Sequence, residues 1–243
     1  MEYTSLTKKE KLHLIFDFQQ RTMVHFAMWY NEVIKNMGKE KAATIMEEAW
    51  EKSFSIQMKR LAKVLDFKLE DGLPVALLDL SDERIEALKE AVAINWLAND
   101  GVWFQAVEFT EGMKMAKTCN DAAWGNFSPY EALRIKKILN LPEQAGIKGL
   151  KKAMSYRLYG TVNKQSFANE TEKSIDFFMN ECRVQMARKR KGLDDYPCKS
   201  GGIIEYTTFA QTIDSRIKTE VIACPPDKHP ENWFCAWRFT LIE

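Results

Sequence analysis

The chain has no run of about 18 apolar residues, so nothing in it reads as a membrane span. Met1 to Glu10 lacks the basic-then-apolar order of a secretory signal, which points to the cytoplasm. There is no excess of charge of one sign: 35 Lys and Arg stand against 34 Asp and Glu, and no field is present to draw the protein onto nucleic acid or anionic lipid. No nucleic-acid or membrane partner is expected. There is no C-x-x-C pair, which removes zinc-ribbon spacing, and Glu-x-x-His occurs only once, at Glu10–His13, where the ligand set of di-iron helical bundles needs it on two helices. An odd number of cysteines, five in 243 residues, fits reduced thiols better than a disulfide framework.

What is present divides into a helical part and a mixed part. A shift of 74 residues places Trp29 on Trp103, Val33 on Val107, Gly38 on Gly112, Ala42 on Ala116 and Trp50 on Trp124, and continues through Arg60 on Arg134 to Leu65 on Leu139. Coincidence of tryptophans and glycines at one offset reads as a duplicated unit. Each unit, about 7–65 and 81–139, predicts two helices. Leu12, Phe16, Gln19, Met23, Phe26 and Tyr30 recur at steps of three and four, and Gly38 ends that helix. Ser81 is an N-cap candidate for the corresponding helix of the second unit. Residues 1–140 are thus expected to form duplicated helical hairpins, a four-helix, bundle-like domain. Its tryptophans, Trp29, Trp50, Trp103 and Trp124, read as packing at helix crossings. Pro and Gly between 140 and 150 mark the boundary of a second domain, 146–243.

In this second domain a helix is expected at 147–159, then strands at 167–172 and 174–185, a helix starting near Gly202, and strands at 217–224 and 232–242. The fold class is α+β: an antiparallel sheet module in strand-strand-helix-strand-strand order follows the helices. Four cysteines, Cys182, Cys198, Cys224 and Cys235, fall in the last 62 residues. Pro225 and Pro226 stop the strand at Cys224, and the chain turns back before Cys235, so both thiols lie at one end of neighbouring strands about 4.8 Å apart. That spacing suits two thiolates on one tetrahedral zinc with Zn–S bonds near 2.3 Å. Cys198 can reach the same end, and Cys182 or, alternatively, His229 supplies a fourth ligand. Buried apolar thiols are the plain alternative. If the protein is an enzyme, Cys198 is the candidate nucleophile, since a helix N-terminus lowers a thiol pKa. Arg188-Lys189-Arg190-Lys191 reads as a solvated loop able to greet an anion, and Glu205, Tyr206, Asp214 and Arg216 as polar residues able to line a pocket.

WFQAVE, EALRIKK, CRVQMARKRKGL, PCKSGGIIEYTTFAQTID and ACPPDKHPENWFCAWRF together resemble a family of uncharacterised bacterial and archaeal cytosolic proteins. The C-terminal third is also similar to the 4-vinyl reductase domain, through Cys198, Glu220, Cys224 and Cys235. That resemblance implies a small-molecule pocket beside a structural zinc. A weaker likeness, through Cys182, Cys198 and Cys235, is to hydrolases that open 2-amino-thiazoline-4-carboxylate, and implies hydrolysis of a C–N bond. The expectation is a small-molecule-binding or sensor-like protein with cysteine-bound zinc, the alternative a hydrolase of a small nitrogen-containing metabolite.

Overall fold

The computed structural model describes residues 5–192 and 194–242. It falls into two compact units, Met1–Leu61 and Ala62–Glu243.

The first unit holds α1 (Lys8–Met37) and most of α2 (Lys39–Leu65). Thr7 and Glu10 form a reciprocal capping box: Thr7 N donates to Glu10 Oε2 at 2.7 Å and Glu10 N to Thr7 Oγ1 at 3.3 Å. Gly38, at φ +83°, ends α1 in a conformation that side chains avoid. The Phe26 and Trp50 rings meet across the pair at 6.4 Å. α1 buries none of its residues fully, and Phe16, Met23 and Trp29 are exposed. Trp29, read from sequence as packing, is therefore largely in solvent.

In the second unit a two-residue hairpin, β1 (Leu69–Glu70) with β2 (Leu73–Pro74), and a single turn α3 (Val75–Leu78) lead into α4 (Asp82–Glu111). Ser81 caps α4 by accepting from Arg84 N. α4 ends at Gly112, at φ +86° and ψ 166°, nearly the dihedrals of Gly38, and α5 (Met113–Ile138) follows. After α6 (Gly146–Met154) and α7 (Leu158–Val162) come β3 (Lys164–Ala168), β4 (Ser174–Glu181), α8 (Arg183–Arg190), α9 (Lys199–Ile213), β5 (Ile217–Ala223) and β6 (Cys235–Leu241). The strands form one antiparallel sheet in the order β3-β4-β6-β5. The architecture is α+β with a helical N-terminal region.

α9 lies between the sheet and α5. On its sheet side Tyr206 packs on Trp237 at 4.8 Å between ring centroids and on Phe177 at 5.5 Å. Gly202 permits this approach, because a Cβ there would meet Trp237 Cζ2 at 2.7 Å. On the other side Ser128 Oγ of α5 donates to the Glu205 carbonyl at 2.7 Å. This packing puts α4 and α5 in the same compact unit as the sheet. The division between units falls at Leu61 and Ala62, not at the expected 140–146.

The strand expected at 174–185 stops at Glu181, and α8 occupies the end of that stretch and most of the basic run. Arg183–Arg190 has Val184, Met186 and Ala187 among Gln185 and long cations, a pattern too polar to announce a helix. The helix expected at 147–159 is broken into α6 and α7. The helix predicted near Gly202 starts at Lys199 and ends at Ile213.

Candidate functional site

α4, α5, α7, α8 and the first turn of α9 surround a cavity of about 470 Å³, all within the second unit. Its apolar walls are Ile94, Leu97, Val102 and Phe104 from α4, Trp124 from α5, Tyr159 from α7 and Val184 from α8. Trp124 and Tyr159 stack at 5.5 Å, and Phe104 meets Tyr196 edge-on at 5.0 Å. The polar groups facing it are Asp100, Lys117, Asn120, Gln185, Tyr196, Glu205 and the thiol-bearing Cys182 and Cys198. Exposed Ala98, Gln105, Arg183, Arg190 and Lys191 stand at its rim.

The polar floor is built around two cations, Lys117 with one acid and a tyrosine, and Arg157 with two acids. Lys117 Nζ lies 2.9 Å from Asp121 Oδ1, 3.1 Å from the Tyr196 hydroxyl and over the Tyr196 ring. Arg157, almost wholly buried, donates from Nε to Glu131 Oε2 at 2.8 Å, and its Nη2 stands 2.7 Å from Glu205 Oε1. Glu131 Oε1 also accepts from Leu158 N at 2.9 Å, so this carboxylate is well satisfied. Glu205 Oε1 is not: it and Arg157 Nη2 are close, but off the line of the N–H, and neither has a hydrogen bond. Burial pushes the Glu205 carboxyl up to about 7, against the opposing pull of Arg157. Burial also raises the Asp100 carboxyl, with Lys117 opposing.

Beside the cavity four segments bring the thiols together. Cys198 precedes α9, Cys182 precedes α8, Cys224 follows β5 and Cys235 begins β6. The Cys198 and Cys224 sulfurs are 3.5 Å apart, and Cys224 is also in hydrogen-bonding contact with Cys235. Gln185 Nε2 donates to Cys198 Sγ at 3.5 Å. The bond with Cys224 draws the Cys198 thiol pKa down, helped by Gln185 and Lys117, whereas burial pushes Cys182 up to about 12. The hydrogen bond to Cys198 drives the Cys224 thiol far upward, so Cys224 holds the proton and Cys198 carries the negative charge first. Among the described residues no three His, Cys, Asp or Glu side chains stand arranged to hold a metal ion. Cys198, Cys224 and Cys235 are drawn up as a hydrogen-bonded chain, with Cys182 beside it.

Of the residues singled out from sequence, Cys182, Cys198, Cys224 and Cys235 lie close together. His229 is engaged elsewhere: Nδ1 is 2.8 Å from the Pro230 carbonyl, Nε2 is 3.2 Å from Asp195 Oδ2, and its ring faces Trp233 and Phe234. Glu205 lines the cavity, but Tyr206 faces the sheet, and Asp214 is taken by Arg216 and by Gly146 N at 2.9 Å. Glu220 is exposed on β5 and pairs with Lys218 at 3.1 Å. Arg188, Arg190 and Lys191 do edge the cavity. Asp100, Lys117, Glu131 and Arg157 escaped sequence reasoning. They are far apart in the chain and ordinary helix-surface types, so only the packing of α5 on α9 assembles them.

The sequence model of one family, described as a family of unknown function (DUF6125), matches residues 4–81 and 78–241. The chain belongs to the DUF6125 family. Its two matches start at residues 4 and 78, the same offset of 74 at which the tryptophans and glycines of this DUF6125 chain coincide. No curated protein and no solved structure matched the chain. No helix among its described residues is long and apolar enough to cross a membrane.

Proposed function

We propose that Ala62–Glu243 is a small-molecule-binding module and that the cavity between the α4/α5 pair and α9 is its binding site. The observation that carries this reading is the cavity itself. Its volume of about 470 Å³ lies in the range of small-ligand sites, roughly 300–1,000 Å³, and it joins aromatic walls to a few convergent polar groups. Binding in such a site gains from apolar burial along Trp124, Tyr159 and Phe104, and takes its orientation from Asp100, Asn120 and Glu205. Native mass spectrometry of the purified chain, followed by release of bound molecules on denaturation, tests this. One small molecule per chain is the expected result, and its absence from Ala98→Trp, which blocks the rim, places it in the cavity. Equal adducts on both proteins oppose the reading.

The same proposal gives the thiol group a structural zinc. Four sulfurs from four segments are the donor chemistry zinc favours, and thiolates on one tetrahedral zinc stand about 3.8 Å apart, near the 3.5 Å of Cys198 and Cys224. Cys182, Cys198, Cys224 and Cys235 would close around the ion, and such a site leaves no open position for substrate. Elemental analysis showing one zinc per chain, lost in Cys224→Ser, supports it; five freely titrating thiols in protein purified without added metal oppose it.

A hydrolase acting on a C–N bond is the second reading. It is favoured by the place of Cys198, a cavity-lining thiol with a lowered pKa at the start of α9.

A further inference from the structure

The charges around the cavity do not balance. At the floor four carboxyls, Asp100, Asp121, Glu131 and Glu205, stand with two cations, Lys117 and Arg157, while Glu108 lines the cavity elsewhere with Arg183, Arg188, Arg190 and Lys191. Asp121 holds Lys117 at 2.9 Å, and Glu131 holds Arg157 at 2.8 Å with a backbone N–H besides. Asp100 forms no ion pair among the described residues, and Glu205 is left as the second carboxyl on Arg157. Both face the cavity, from α4 and α9 respectively. Glu205 is 7 % exposed, and its Oε1 has no hydrogen bond. A buried acceptor of this kind is costly unless something donates to it.

Among the described residues no ion pair joins the rim cations to Asp100 or Glu205. Arg183 is held by Glu90 at 2.8 Å and by the Val162 carbonyl, and Arg188 Nε donates to the Asp194 carbonyl. Arg190 and Lys191 are exposed, where water screens them. The walls between rim and floor are aromatic, and aromatic faces attract cations.

Resting on the cavity as a binding site, we propose that its ligand is a small molecule with an aromatic or apolar body and a basic amine, the ammonium group seated between Asp100 and Glu205. The ammonium donates to Glu205 Oε1, which lacks a hydrogen bond, and supplies the third positive charge to the four carboxyls. The body lies along Trp124, Tyr159 and Phe104.

Three probes with one ring and tether separate charge from shape: phenethylamine, 2-phenylethanol and 3-phenylpropionate, titrated onto the full chain at pH 7.5 by ligand-observed NMR. The expected order is amine about tenfold or more tighter than alcohol, with the acid weakest, for an ammonium hydrogen-bonded to buried carboxylate. Asp100→Asn brings the amine to within about threefold of the alcohol, as removal of one of two charges requires. Asp100 is only part-buried, so this variant carries the test if Glu205→Gln fails to fold. An acid that binds as tightly as the amine, or an amine preference that survives Asp100→Asn, overturns the proposal. If the alcohol binds and Ala98→Trp abolishes it while no amine preference appears, the charge assignment alone fails. If none of the three binds, the cavity reading fails with it.

Discussion

Arg157 and Glu205, both buried, stand 2.7 Å apart between Nη2 and Oε1, yet without a hydrogen bond along that line. The guanidinium gives its better geometry to Glu131. Glu205 is thus a buried carboxyl with half a partner, and burial prevails over attraction in lifting its pKa to about 7. A carboxyl whose folded pKa lies above its unfolded value near 4.5 stabilises the fold fully below that lower value, and the contribution is lost as pH rises through about 7. Asp100, also raised, acts with the same sign, while Asp176 and Asp214, both lowered, act below pH 4. Urea midpoints are therefore expected to fall from pH 5 to pH 8 in the wild type, and Glu205→Gln is expected to flatten that slope. An unchanged slope in the variant removes Glu205 as its source.

Removing the cation leaves two carboxyls buried together. Arg157→Met is expected to destabilise the fold by about 3–5 kcal/mol, the range for breaking a buried pair from one side. The loss should be larger at pH 8 than at pH 5, because Glu205 is protonated at the lower value and charged at the higher. Equal losses at both pH values, measured by denaturant unfolding, contradict the coupling of Arg157 to Glu205.

Glycines on the helices test the packing that forms the site. Gly202→Ala sets a methyl 2.7 Å from Trp237 Cζ2, in a core with no room to yield, and is expected to cost about 1–3 kcal/mol. Gly101 is also helical and has nothing within 4 Å, so Gly101→Ala should stabilise by about 0.5–1 kcal/mol through helix propensity alone. Similar effects from the two substitutions would mean that α9 does not lie against Trp237 as described.

The thiols differ in readiness to react. In metal-free Cys119→Ser protein, which removes the exposed thiol, iodoacetamide at pH 7 should label Cys198 well before Cys182. Peptide mapping by mass spectrometry reads the order. Zinc-loaded protein should resist labelling at both positions, and if added zinc leaves the rates unchanged the thiols do not bind it.

Much of this was legible in the residues, but not evenly. Pro225 and Pro226 end a strand wherever they stand, so the meeting of Cys224 and Cys235 followed from local backbone chemistry, and the structure adds Cys198 at 3.5 Å. Ser81 and the glycines at 38 and 112 announced helix ends because caps are local as well. α8 was hidden, since Arg183–Arg190 carries too few apolar residues to show a helical period and its cations suggested a loop. The cavity was hidden for a different reason. Asp100, Lys117 and Glu205 come from three helices and Arg157 from the N-cap of a fourth, and only tertiary packing makes them neighbours. His229 illustrates the converse: a ligand-type residue in the right loop whose two nitrogens are taken up by Asp195 and Pro230.

The central claim, that the cavity of the second unit is a small-molecule site, is met most directly by one comparison. Saturation-transfer NMR of a fragment mixture is recorded on the wild type and on Ala98→Trp, in which an indole fills the cavity mouth while the rest of the chain is unchanged. The prediction is a set of fragments, aromatic ones foremost, that contact the wild type and lose contact in the variant. An identical set on both proteins would contradict it.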